Sequence, residues 1–214
     1  MGAFNEDHDA SGQNYKDRAG SAYIFERDTD GNWSQVQKIV ASDRAVEDRF
    51  GRSVSISGNY AIVGAYTEDH DASGTSASTT TDPDYKSKAG SAYIFERDTN
   101  GTWSQVQKIV ASDRQANDEF GLSVAISGNY AIVGADKQNL DASGQNNKTD
   151  AGAAYIYERN TDGTWSQVQK IVASDRAGSD YFGYSVAISG NYAIVGAYYE
   201  EQNKSNEGTA YIFE

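Results

Sequence analysis

The sequence predicts an all-β protein assembled from repeats, and three phrases carry that expectation. Trp-Ser-Gln-Val-Gln-Lys-Ile-Val-Ala-Ser-Asp-Arg occurs at 33–44, 103–114 and 165–176. Ser-Gly-Asn-Tyr-Ala-Ile-Val-Gly-Ala occurs at 57–65, 127–135 and 189–197. A Gly-x-Ala-Tyr-Ile-aromatic-Glu phrase starts at Gly20, Gly90, Gly152 and Gly208, at spacings of 70, 62 and 56 residues. The phrases are rich in Val, Ile, Tyr and Ser and are broken by Gly, Asn and Asp, the composition of short strands joined by turns.

Each full repeat divides into four strands. Strand A is Ser53–Ser57 and strand B is Tyr60–Ala65, joined by the tight turn Ser57-Gly58-Asn59. Strand C is Ser91–Arg97 and strand D covers 103–110, joined by a short turn in which Gly101 supplies a positive φ. Along strand B, Tyr60 and Ile62 face one way and Ala61, Val63 and Ala65 the other, so both faces are apolar. That suits a sheet held between two others. Four short antiparallel strands recurring about every 60 residues predict a β-propeller of four-stranded blades. A solenoid coil is usually much shorter than this period. The chain divides into a half-blade at 1–49, blades at 50–119 and 120–181, and a partial blade at 182–214, forming a single propeller domain or a portion of one. Thirteen strands are expected, a little over three blades, with Gly2-Ala3 as the end of a further incomplete copy.

Composition narrows the function. With 18 Lys and Arg against 31 Asp and Glu, the net charge is -13. Nucleic-acid binding is excluded, because phosphate neutralisation needs clustered cations, and docking on an anionic membrane surface is disfavoured. No apolar run reaches the ~20 residues of a membrane-inserted helix. The absence of cysteine removes thiol nucleophiles and Cys-ligated metals, and two histidines leave little for His-based catalysis.

Phe50-Gly51 with Gly64-Ala65, Phe120-Gly121 with Gly134-Ala135, and Phe182-Gly183 with Gly196-Ala197 resemble FG-GAP repeats, which build the integrin α-chain propeller and many bacterial surface proteins. The resemblance covers nearly the whole chain. It implies a propeller that binds ligands through its upper face, at an extracellular or cell-surface location. Two departures stand out. The family's Pro is replaced by Tyr66, Asp136 and Tyr198, and the Asp-rich calcium loop between the first two strands is reduced to Ser-Gly-Asn. Calcium takes six to eight oxygen ligands, so no calcium is expected at Ser57–Asn59, Ser127–Asn129 or Ser189–Asn191.

In a meander, the A–B and C–D turns lie on one face of the disc and the B–C and D–A loops on the other. The latter loops are long and variable, as ligand-binding surfaces of scaffolds often are. Candidate ligand residues on that face are Tyr66, Asp48, Asp118, Asp180, Tyr181, Tyr198 and Tyr199. Tyr15 and Tyr85 lie there too, and loop tyrosines beside Asn, Ser and Asp suit protein or glycan recognition. Glu-Asp-His-Asp-Ala-Ser-Gly at 6–12 and 68–74 offers Glu6, Asp7, Asp9, Glu68, Asp69 and Asp71 as possible calcium ligands, or simply a solvated acidic loop. Asp48, Asp118 and Asp180 stand in register, which also fits turn acceptors. Trp33, Trp103 and Trp165 are expected to pack against core or rim.

The leading functional expectation is a non-enzymatic binding or adhesion module with a protein or glycan partner. A second is a structural repeat segment or a duplicated, designed scaffold that self-assembles. A third, a hydrolase using a carboxylate pair such as Asp48 with Glu68, fits poorly with repeats that supply equivalent acids rather than one singular site. A head-to-tail homodimer closing a six-bladed ring is expected on strand count alone.

Overall fold

In a computed structural model of the chain, residues 1–72, 85–199 and 207–214 are described. They form fourteen strands and, among the described residues, no helix. The first sheet holds β1 (Gly2–Ala3), β2 (Ser21–Arg27) and β3 (Trp33–Ile39). The second holds β4 (Ser53–Ser57), β5 (Tyr60–Ala65), β6 (Ser91–Arg97) and β7 (Trp103–Ile109). The third repeats this with β8 (Ser123–Ser127), β9 (Tyr130–Ala135), β10 (Ala153–Arg159) and β11 (Trp165–Ile171). The last holds β12 (Phe182–Ser189), β13 (Tyr192–Ala197) and β14 (Thr209–Phe213). Within each sheet all pairings are antiparallel between consecutive strands, so each sheet is a propeller blade, and parallel bridges from Gly20 to Phe50, Gly90 to Phe120 and Gly152 to Phe182 link neighbouring sheets. Gly2-Ala3 pairs with Ser21 and Ala22 as the end of a second strand. Strand D stops at Ile109, one residue short of the expected 110, as its equivalents stop at Ile39 and Ile171; the Val110 carbonyl just beyond accepts the Tyr157 hydroxyl of the third sheet at 2.7 Å.

Both faces of strand B are used. Ala61, Val63, Tyr93, Phe95 and Trp103 of the second sheet pack against Ala22 and Ile39 of the first. Ile62, Ile94 and Ile109, on its other face, pack against Ala131, Val133, Tyr155 and Trp165 of the third. A paired hydrogen bond repeats at each junction. The Gln37 amide donates to the Trp103 carbonyl at 2.7 Å and accepts from the Trp103 N–H at 2.9 Å. Gln107 does the same with Trp165.

The Phe-Gly and Gly-Ala pairs meet between sheets. Phe50, Phe120 and Phe182 are fully buried. A Cβ on Gly64 would lie 1.9 Å from the Gly121 carbonyl oxygen, and one on Gly134 2.0 Å from that of Gly183. Only a hydrogen fits there, which lets adjacent first strands run side by side. Ser55 of β4 accepts the Ile126 N–H of β8.

Candidate functional site

The B–C and D–A loops share one face, and backbone hydrogen bonds stitch them together. Glu47 and Arg49 N–H donate to the carbonyls of Asp17 and Arg18. Asn117 and Glu119 donate to Ser87 and Lys88, and Ser179 and Tyr181 to Thr149 and Asp150. These six donors all have φ between 53° and 68°. The left-handed conformation costs a non-glycine residue roughly 1–2 kcal/mol, and it is held here by the stitching on both sides.

Asp48, Asp118 and Asp180 hold this loop from inside. They are buried at 4%, 1% and 2% exposure, beneath the loop surface rather than on it. Each accepts the N–H three residues earlier, from Ala45, Gln115 and Ala177. Each turn brings its aspartate beneath the loop. Burial, with the Glu68 carboxylate behind it, pushes Asp48 up to about 8. Burial pushes Asp118 up to about 7. Position 138 carries Gln in place of Glu68, and its amide donates to Asp118 at 2.7 Å.

Beside Asp48 lies a buried ionic cluster. Lys108 pairs with Asp43 at 2.8 Å and Glu68 at 3.0 Å. Glu68 also accepts the Ser91 hydroxyl at 2.5 Å and the His70 N–H at 2.8 Å, and Asp43 accepts the Tyr93 hydroxyl. The third sheet repeats the arrangement with Asp113, Lys170 and Tyr155. These groups serve each other, which fits neither the separated acid and base of a hydrolase nor an open cation site.

The other acidic candidates are engaged by their own loops. Asp7 accepts the Arg18 N–H, and Asp69 the Lys88 N–H. Asp9 accepts from Ser11, Gln13 and Asn14, which hold it well below the usual carboxylate range. Glu6 accepts the His8 N–H and lies 3.6 Å from Lys38. Asp71 belongs to the same loop as Asp69. Among the described residues, no three His, Asp or Glu side chains gather into a group able to hold a metal ion. The portions of the 66–89 and 198–207 loops at 73–84 and 200–206 lie outside the described residues.

Two features of the loop face remain open to a ligand. The first is a groove of about 290 Å³ whose lining includes Arg49, Tyr66, Asp69, Tyr85, Lys88 and Glu119. Here Arg49 reaches the Tyr66 hydroxyl and lies over its ring, 5.5 Å from the centroid. The second is a tyrosine cluster on the last sheet. Tyr181 stacks on Tyr198 at 5.3 Å, Tyr184 lies 4.4 Å from Tyr198, and Tyr199 packs edge-on to both Tyr181 and Tyr198. Tyr184, Tyr198 and Tyr199 are more than 40% exposed. Tyr66, Tyr85 and Tyr181 are half-buried, and Tyr15 stands apart, edge-on to His8.

Sequence reasoning missed Arg49 and Tyr184, and a signal for them exists. From 33 to 65, 103 to 135 and 165 to 197 the three copies differ only at positions equivalent to 45, 46, 47, 49, 52 and 55. All but the last lie at the loop face. Position 49 reads Arg, Glu, Tyr, and position 52 reads Arg, Leu, Tyr.

Profiles of protein families match the FG-GAP repeat at 33–95, 103–157 and 165–213, more than half of the chain. The chain belongs to the FG-GAP repeat family. No curated protein matches it. This FG-GAP chain keeps the Phe-Gly and Gly-Ala contacts between sheets. Its described residues contain no helix long and apolar enough to cross a membrane.

Proposed function

We propose that this FG-GAP chain is a non-enzymatic binding or adhesion module, working outside the cell or at its surface. Its loop face engages a protein or glycan. The observation that carries the reading is the placement of variation. Copies nearly identical through 33 residues differ in charge and aromaticity at the loop rim, around Arg49, Glu119 and Tyr181. A rim needed only for folding would repeat with the rest. Tyrosine and arginine on that rim offer rigid flat surfaces and forked donors, the side chains that dominate binding energy in many interfaces. The FG-GAP family is generally non-catalytic, and the buried acids are committed to turns and to Lys108.

The test is a screen of glycan and extracellular-protein arrays with the chain, with and without a calcium chelator. Tyr198→Ala and Arg49→Ala are each expected to weaken a hit on the order of tenfold. Asn129→Ala, in a turn on the opposite face, is expected to leave it unchanged. Binding that follows Asn129 and ignores the rim overturns the reading.

A further inference from the structure

Two apolar grooves mark the two ends of the row of sheets. The first sheet has no strand in the position of β4 and only two residues, β1, in the position of β5. The last sheet has none in the position of β7. At the first gap lies a groove of about 200 Å³, lined by Tyr23, Phe25, Val54, Ile56 and Val63 among others. At the second lies one of about 250 Å³, whose lining includes Tyr130, Gln169, Ile171, Tyr192 and Phe213.

Side chains at each groove are bare where their equivalents inside the row are covered. Val54 and Ile56 are 38% and 56% exposed, whereas Val124 and Ile126, one repeat on, are 8% and 5% exposed because β4 lies beside them. Trp33 is 67% exposed, whereas Trp103 and Trp165 are 5% and 3% exposed. Trp165 packs edge-on to Tyr60 at 5.9 Å and is held by Gln107. The counterparts of Tyr60 and Gln107 at the far end are Tyr130 and Gln169, and both line the second groove.

We propose that a second copy of this chain fills both grooves by strand exchange. The β12–β13 hairpin of one copy enters the first groove of the other, and that copy's β2–β3 hairpin completes the last sheet. The shared blade runs β12, β13, then β2 and β3 of the other copy. The exchange displaces β14 and β1; β14 is replaced by a sequence that differs from it only at the first residue, and β1 by its own sequence. Thr209-Ala-Tyr-Ile-Phe-Glu gives way to Ser21-Ala-Tyr-Ile-Phe-Glu, and Gly2-Ala3 to Gly196-Ala197. The pairing of Ile194 with Ile212 becomes a pairing of Ile194 with Ile24. Ladder hydrogen bonds lost are therefore matched by those formed. The surplus is a fourth strand, Trp33 buried against Tyr130 and held by Gln169, and Val54 and Ile56 covered by β12. Two copies joined at both ends carry six complete blades, within the four to eight of closed propellers.

The chain has no cysteine, so introduced thiols report cleanly. Sedimentation of the full chain is expected to give twice the 23.2 kDa monomer. Under oxidation, an equimolar mixture of Ile24→Cys and Ile194→Cys chains is expected to form the mixed disulfide. Trp33→Glu is expected to shift the species to monomer. Ile212→Pro unpairs β14 and leaves β2 intact, so it is expected to lower the concentration at which the dimer forms. A monomer at all micromolar concentrations, no mixed disulfide, association indifferent to Trp33→Glu, or association weakened by Ile212→Pro each overturns the proposal.

Discussion

Gly64 and Gly58 show how two glycines in one repeat answer to different physics. Gly64 has an ordinary φ, but its Cα faces the Gly121 carbonyl, so a Cβ has no room. Gly58 has φ +56° and nothing within 4 Å of an added Cβ. Gly64→Ala must push neighbouring sheets apart, and is expected to lower the unfolding free energy by more than ~3 kcal/mol, the range of disruptive buried changes. Gly58→Ala meets only the backbone penalty of roughly 1–2 kcal/mol. Urea melts of the two variants check the order. Asp48 gives a second prediction at this scale. Its folded form keeps a proton up to about pH 8 that the unfolded chain releases near 3.8, so the folded state binds more protons between those limits. Asp118 and Asp136, raised to about 7 chiefly by burial, act in the same direction. The stability this gives is complete below pH 4 and fades as pH rises through 7 to 8. Melting temperature should therefore rise as pH falls from 8 to 5, and Asp48→Asn should flatten that slope. A melting temperature that climbs with pH over this window counts against the assignment.

At the scale of elements, the strands and their grouping into sheets were legible in the sequence because apolar spacing and turn residues are local signals. β4 to β11 fall where the repeated phrases put them, and even the two-residue β1 follows from Gly2-Ala3 matching Gly64-Ala65. The register of acids at 48, 118 and 180 was visible too, but their burial was not. It depends on the loop of the preceding sheet closing over them, a contact made 30 residues away in sequence. The left-handed residues at 47 and 49 follow from the same stitching. Trp33, Trp103 and Trp165 sit in one phrase and differ only in what lies beside them, which no local reading can show. Trp103→Ala is therefore expected to cost about 3–5 kcal/mol, as for buried aromatics. Trp33→Ala in a dilute sample should stay within about 0.5 kcal/mol of the parent. Equal losses at the two positions, measured by thermal melts at low concentration, would contradict the burial of Trp103.

The whole molecule carries a net charge of -13 on 214 residues, and this sets its response to salt. Two electrostatic effects compete. Screening weakens favourable pairs, and it also weakens the repulsion among excess carboxylates. The strongest pairs are sheltered: the Lys108 side chain is 4% exposed between Asp43 and Glu68, and Lys170 is 6% exposed beside Asp113. Buried pairs are screened little. The outer pairs, Arg18 with Glu47 and Arg97 with Glu26, are largely exposed and contribute little in any salt. Repulsion is the larger screened quantity, so salt should stabilise the fold. Raising ionic strength from about 0.01 M to 0.15 M shortens the Debye length from roughly 30 Å to 8 Å. That is enough to uncouple charges on neighbouring sheets. The melting temperature of the Trp33→Glu variant, chosen so that association does not contribute, is expected to rise over that range. On the proposed strand exchange the rise in the parent chain should be steeper, because two copies each carrying -13 would also approach one another. A melting temperature that falls with salt in the variant would mean that surface pairing, not repulsion, governs this fold.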